Sequence, residues 1–191
     1  MLTEKPASWK FELETPELGN PEAVTSLHAE TGTEQLDSIL YDGLTFAFEG
    51  PMVVDAEARW ADSDLAVSMK ISAAFSVPCS RCLEPSRIEI LNDFLYLYSL
   101  RKKASAGDTS ADEDFHVVQV SRWQRFFDIS DHVWECIVIS LPSKVLCSAD
   151  CKGLCPQCGR PLKNGKCSCS LNELDPRMEK LLGINIEETP E

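Results

Sequence analysis

Leu65-Ala-Val-Ser-Met-Lys-Ile-Ser-Ala-Ala-Phe-Ser-Val-Pro-Cys79-Ser-Arg-Cys82 decides how this chain folds. Leu65, Val67, Met69, Ile71, Ala73, Phe75 and Val77 occupy alternate positions, the period of a β-strand with one buried face. Pro78 has no amide N–H and stops the ladder. Val53 to Trp60 precedes this strand as an antiparallel partner, joined to it at Ala61-Asp62-Ser63-Asp64, and Ile88 to Tyr98 runs back as a third strand. Cys79 and Cys82 therefore sit at a hairpin tip, where a tight turn makes two thiols converge, the place for a zinc knuckle. A redox C-x-x-C needs a helix N-terminus to lower its thiol pKa, and Pro85 with the strand pattern after it supplies none.

Working outward toward the N-terminus, Ser8 to Glu14 alternates as a strand until Pro16 and Gly19-Asn20-Pro21 break it. Residues 22–43 are ambiguous, with Thr33 to Leu40 reading as one or two helical turns or as an extended edge, and Leu44 to Phe48 alternates again. Toward the C-terminus, Arg101 to Asp114 is an aperiodic polar stretch that reads as a solvated loop. Phe115 to Val120 is a short strand candidate. Asp128 to Pro142 reads as a helix capped by Asp128 or Ser130 and ended by Pro142, with Ile129, Val133, Cys136, Ile137, Ser140 and Leu141 as its buried stripe. Cys136 is then a small core residue. Asp175 to Gly183 has a cap, a proline at the first helical position and a terminal glycine, a short C-terminal helix. The fold class expected is α+β: an antiparallel sheet, either an open meander or one closed toward a barrel, with few helices and a C-terminal all-cysteine zinc-knuckle module. Residues 1–143 would form an acidic sheet domain, and residues 144–191 the cysteine-rich module and terminal helix packed on it.

Six of the nine cysteines fall between Cys147 and Cys169, a stretch with too little apolar content to build a core of its own. Cys155-Pro-Gln-Cys158-Gly159 has the shape of a second knuckle, glycine supplying the left-handed conformation after the turn. Asn164-Gly165 is a hairpin turn signal ahead of Cys167-Ser-Cys169. Cys155, Cys158, Cys167 and Cys169 make one four-thiolate set, and Cys79, Cys82, Cys147 and Cys151 pair as a second, leaving Cys136 alone. The alternative joins Cys79 and Cys82 to Cys155 and Cys158. With no basic and apolar leader at its start the chain is expected in a reducing cytoplasm, where clustered cysteines hold metal, here two structural zinc ions, rather than disulfides. His28, His116 and His132 lie far from these groups in sequence and read as surface or core residues.

The net charge of −13 is uneven: residues 1–64 carry 14 acidic and 3 basic side chains, whereas residues 144–191 carry 7 of each. In the cysteine-rich part Lys144, Lys152, Arg160, Lys163 and Lys166 face only Asp150. These cations either neutralise their own metal sites or face RNA. No apolar run reaches membrane-spanning length. Nucleotide-binding glycine motifs, the G-x-S-x-G elbow and H-E-x-x-H are absent, no small-molecule substrate is evident, and neither Cys82 nor Cys158 precedes a histidine as haem attachment requires. Cys151-x3-Cys155-x2-Cys158 spells the cluster pattern of radical enzymes, but too little chain follows it for their barrel. Zinc closed by four thiolates is structural and has no catalytic position.

Arg81-Cys82-Leu83-Glu84-Pro85 after Cys79, Leu141-Pro142, Leu146-Cys147, the run from Cys151-Lys152-Gly153-Leu154 to Cys155-Pro156-Gln157-Cys158-Gly159, and Asp175-Pro176-Arg177 together resemble the bacterial and plastid YceD family. The resemblance implies a cytoplasmic factor needed for accumulation of large-subunit (23S) ribosomal RNA, with a gene that commonly neighbours that of a small large-subunit ribosomal protein. Some members keep the first C-x2-C pair and lack most later cysteines, and no catalytic residue is defined for the family. The expectation is a non-enzymatic ribosome-assembly protein whose acidic N-terminal third contacts a basic ribosomal protein and whose Lys152–Lys166 surface contacts precursor ribosomal RNA. A zinc- or redox-responsive regulator with labile thiolates is the alternative. A hydrolase acting on RNA would need a carboxylate cluster or an open metal site, and neither is visible.

Overall fold

The computed structural model describes residues 4–20, 22–100, 116–165 and 167–169. Its organising element is a long hairpin of β6 (Asp64–Pro78) and β7 (Pro85–Ser99). The two strands pair antiparallel without a break from Leu65 opposite Tyr98 to Pro78 opposite Pro85. On the other edge of β6 lie β5 (Met52–Ala61) and then β4 (Leu44–Phe48), pairing with different lengths of the strand. Beyond them, β2 (Val24–Thr31) pairs with β5 and β3 (Ile39–Tyr41) with β4, all antiparallel. The ambiguous stretch 22–43 is thus mostly extended, with one 3-10 turn at Thr33–Gln35. Among the described residues the sheet is open and closes no barrel; β5, β6 and β7 follow one another as a meander, whereas β2 pairs with β5 and β4 with β6.

One pairing departs from the antiparallel pattern. Strand β8 (His116–Gln119) lies parallel to β7, with Tyr96 opposite His116. A parallel return needs a long connection, and residues 100–115 supply one. The solvated-loop reading of Arg101 to Asp114 and the helix reading of Asp175 to Gly183 lie outside the described residues.

Alternation on β6 does what its sequence demands. Leu65, Val67, Met69, Ile71, Ala73, Phe75 and Val77 are all buried, each large side chain contributing about 1.5–3 kcal/mol relative to exposure. Covering this face are α1 (Ser130–Ser140), which packs on β6 and β7, and a small second sheet of β1 (Glu12–Glu14) and β9 (Phe126–Asp128). The helix buries Val133, Cys136 and Ile137, with Ile129 and Leu141 at its ends. Ser140, expected in the same stripe, is half-buried and hydrogen-bonded to the Cys136 carbonyl and to Asn92. Cys136 is fully buried, within 3.4 Å of the Tyr96 hydroxyl, and burial pushes its thiol up to about 11. His116 stacks on Tyr96 with ring centroids 5.2 Å apart, and His132 lies tilted against it at 4.5 Å.

The opposite face of the sheet carries a cross-strand row, His28, Asp55, Lys70 and Asp93, of alternating sign. Asp55 Oδ1 lies 2.6 Å from His28 Nδ1, and this hydrogen bond with its charge holds the imidazole above its ordinary range. The pair therefore stabilises the fold at low pH and its contribution fades as pH rises through the raised value.

The N-terminal segment is fixed to the helix by Ser130. Its Oγ is buried, accepts the Phe11 N–H at 2.8 Å and donates to the Asp128 carboxylate, which also accepts the Ser130 N–H. Replacing Ser130 with alanine strands a buried N–H, and denaturation should show a loss of about 1–3 kcal/mol. An unchanged midpoint would mean that this bond does not hold Trp9, Phe11 and Leu13 in place.

Candidate metal centres

Between Pro78 and Pro85 the hairpin turns through Cys79 to Glu84. The turn closes by Leu83 N–H donating to the Cys79 carbonyl at 2.9 Å and Cys79 N–H to the Glu84 carbonyl at 2.8 Å. Onto this tip folds the chain that follows α1. Ser80 N–H donates to the Val145 carbonyl at 2.8 Å and Val145 N–H returns to Ser80 Oγ at 3.2 Å. Arg81 Nη1 donates to the Cys151 carbonyl at 2.8 Å. Gly153 is left-handed, with φ 76°, and a Cβ there would stand 3.2 Å from the Arg81 carbonyl oxygen. These contacts bring Cys147 and Cys151 to Cys79 and Cys82. The Cys79 and Cys151 sulfurs are 3.7 Å apart, those of Cys82 and Cys147 3.6 Å, and all four lie within 4.8 Å of one another.

A second group forms a few residues on. Gly159 N–H donates to the Cys155 carbonyl and Cys155 N–H to the Arg160 carbonyl, both at 2.9 Å, and Gly159 has φ 68°. Cys167 and Cys169 return to Cys155 and Cys158, with Cys155 and Cys167 sulfurs 3.2 Å apart and all four within 4.8 Å. The hairpin turn expected at Asn164-Gly165 is instead a 3-10 turn, Leu162–Asn164, ended by left-handed Gly165. A cleft of about 380 Å³ opens beside this group, lined by Lys152, Cys155, Pro156, Leu162, Cys167 and Cys169.

All nine cysteines are unbridged. Tetrahedral zinc with Zn–S of about 2.3 Å sets its sulfurs about 3.8 Å apart, close to the spacing of the first group. Two cysteine tetrads can therefore hold metal ions. They differ in exposure: Cys79, Cys82 and Cys151 are buried, whereas Cys158 is exposed and Cys167 and Cys169 half-exposed. Burial opposes ionisation of Cys79, but the N–H groups of Arg81, Cys147 and Cys82 outweigh it and draw the thiol down to about 6. Cys155 falls to about 6 through the N–H of Cys158, the thiol of Cys167 and the N–H of Gln157. Cys169 is pushed up to about 12 by Cys158 and Cys167. Without a cation, neighbouring sulfurs resist carrying charge together.

The radical-enzyme spacing is divided, since Cys151 joins one group and Cys155 and Cys158 the other. Cys136 stays in the main core, and among the described residues no histidine joins either tetrad. Sequence reasoning missed the role of Arg81, whose guanidinium reaches across to the Cys151 carbonyl, and of Val145, whose backbone pairs with Ser80. Neither has a local signal, because both contacts span more than 60 residues.

Residues 67–185, which include both tetrads, match the family described as "Large ribosomal RNA subunit accumulation protein YceD". The chain belongs to the YceD family. Relatives of this YceD chain include an uncharacterised protein of Mycobacterium tuberculosis, 28% identical over 129 residues, 68% of this chain and 59% of the relative. The Arabidopsis thaliana protein "Large ribosomal RNA subunit accumulation protein YCED homolog 1, chloroplastic" is 35% identical over 48 residues, 25% of this chain and 15% of its own length. The chain thus spans about 59% of the length of the first curated relatives it matches. No solved structure matches it. Among the described residues no helix is long and apolar enough to cross a membrane.

Two glycine substitutions separate backbone strain from close approach in this YceD chain. Gly43, at φ 78° with open space around it, should tolerate alanine at about 1–2 kcal/mol. Gly153→Ala adds a collision with the Arg81 backbone and should cost clearly more in chemical denaturation. Equal losses would mean that the tip and the following segment are not in register there.

Proposed function

We propose that this chain is a non-enzymatic ribosome-biogenesis factor that supports accumulation and processing of the large-subunit (23S) ribosomal RNA. The observation that carries the reading is the YceD match over residues 67–185. The name of the Arabidopsis relative supports it. Cys79, Cys82, Cys147 and Cys151 would hold one zinc ion and Cys155, Cys158, Cys167 and Cys169 another. Thiolates are soft ligands suited to zinc, and four of them fill a tetrahedral shell. Each ion would thus hold a surface in shape and leave no position for substrate, and the bound cation would let all four sulfurs ionise.

On this reading residues 1–143 and 144–191 are two units joined at the first site. The acidic N-terminal third suits a basic large-subunit ribosomal protein, and the cations around the knuckles suit the precursor RNA itself. The site of action is the cytoplasm. Depleting the protein should lower mature large-subunit RNA and accumulate large-subunit precursor particles, seen in sedimentation profiles and by RNA blotting. Complementation with a chain whose Cys79 and Cys82 are serine should fail. Normal subunit profiles after depletion would refute the proposal. The exposure of Cys158 favours a second reading, a zinc- or redox-responsive regulator with labile thiolates. It predicts zinc release by mild peroxide together with unchanged ribosomal RNA on depletion.

A further inference from the structure

The two knuckles follow one backbone plan, and a single residue breaks the match. In each, the fifth residue donates its N–H to the carbonyl of the first cysteine at 2.9 Å and is left-handed, Leu83 with φ 62° and Gly159 with φ 68°. At Gly159 this costs nothing special. Leucine disfavours that conformation because its Cβ crowds the following carbonyl, yet Leu83 holds it with a side chain 66% exposed. Among the described residues the turn is held by the Leu83 N–H bond to Cys79 and not by packing of the leucine side chain, and an observed backbone outlier of this kind points to a function.

Two cations, Arg81 and Lys152, share the tip with it, beside one exposed carboxylate, Glu84. Arg81 is exposed and spends Nη1 on the Cys151 carbonyl, not on a sulfur. Exposed Lys152 lies between Cys151 and Gly153, the two residues that touch Arg81. From Lys144 to Gly165 the described residues carry Lys144, Lys152, Arg160 and Lys163 against only Asp150. A tip that bears one exposed apolar side chain and two exposed cations, against the single carboxylate of Glu84, matches the chemistry of nucleic-acid contacts. Arginine and lysine take phosphates, and an apolar group packs on or wedges beside an unstacked base.

We propose that Leu83, Arg81 and Lys152 form an RNA-contacting edge at the hairpin tip. This rests on the reading of the chain as a factor for large-subunit ribosomal RNA. Arg81 and Lys152 bind phosphates, and Leu83 packs against a base exposed in a single-stranded segment. The test uses the full, metal-loaded chain with two probes, deproteinised large-subunit ribosomal RNA and polyuridylate. Leu83→Gly relieves the strained φ, so thermal stability should equal or exceed that of the parent and metal content should not change. Its RNA affinity should fall about tenfold, the scale of one lost base contact. The double variant R81Q/K152Q should flatten the salt dependence of binding by about two phosphate contacts.

Leu83→Gly binding as tightly as the parent, with metal retained, overturns the role of Leu83. Loss of metal from R81Q/K152Q makes these cations part of the metal site and overturns theirs. If the parent binds neither RNA but captures RNA-free ribosomal proteins, the edge is a protein contact and the inference fails, even where depletion still lowers large-subunit RNA. If depletion leaves that RNA at its normal level, the functional reading beneath the inference fails whatever the binding shows.

Discussion

Cys79 and Cys82 on a hairpin tip must meet Cys147 and Cys151 on a later loop, and the described chain from Lys144 to Cys169 depends on that meeting. From Lys144 onward little is available for a core: Val145, Cys151, Gly153 and Cys155 are its buried residues among those described. The satellite cluster there consists of Cys79, Cys82 and Cys151, with Leu146, Cys147 and Leu154 packed on it. Such a cluster is too small to order a segment by apolar burial alone. Sulfurs spaced for a tetrahedral ion, backbone bonds to Val145 and the Arg81 bridge take over that task.

The rest of the molecule serves to hold the tip still. The two strands keep an unbroken register over their length, and both faces of β6 differ sharply in character. Its inner face binds the helix and the small β1–β9 sheet into one core. The outer face stays polar, with charge alternating across strands. The first tetrad is therefore mounted at the end of the longest strand pair, with three of its four cysteines buried. Among the described residues the second joins the first through Gly153, whose carbonyl accepts the Leu162 N–H, and through Leu154, packed on the first cluster, and it is more open to solvent. A hierarchy follows in which the outer group depends on the inner one.

Much of this was legible in the sequence. Alternation from Leu65 to Val77 placed the first strand of the hairpin, because one buried face imposes a period of two, and Ile88 to Tyr98 was legible as the strand running back. Pro78 and Pro85 bracketed its tip. The helix was legible from its stripe, though it begins at Ser130 and ends at Ser140, two residues inside each expected end. What stayed hidden was non-local. Phe126–Asp128 is too short to show a period and exists because β1 pairs with it. The parallel return of β8 is set by a distant register with Tyr96 and not by any local pattern. Cysteine spacing left two ways to divide the thiols. The fold brings Cys79 and Cys82 to Cys147 and Cys151, because the backbone of Val145 docks at Ser80. Leu83 gave no signal by residue type, since leucine is not a turn residue; only comparison with Gly159 marks it.

X-ray absorption at the zinc edge, with elemental analysis of the natively purified chain, tests the central claim most directly. The account predicts about two zinc ions per chain, each with a shell of four sulfurs at about 2.3 Å and no oxygen or nitrogen. Substituting Cys82 with serine should then release the first ion and weaken the second, because the outer group is mounted on the inner. A protein that carries no metal, resists chelators and keeps its 147–169 segment folded would contradict it.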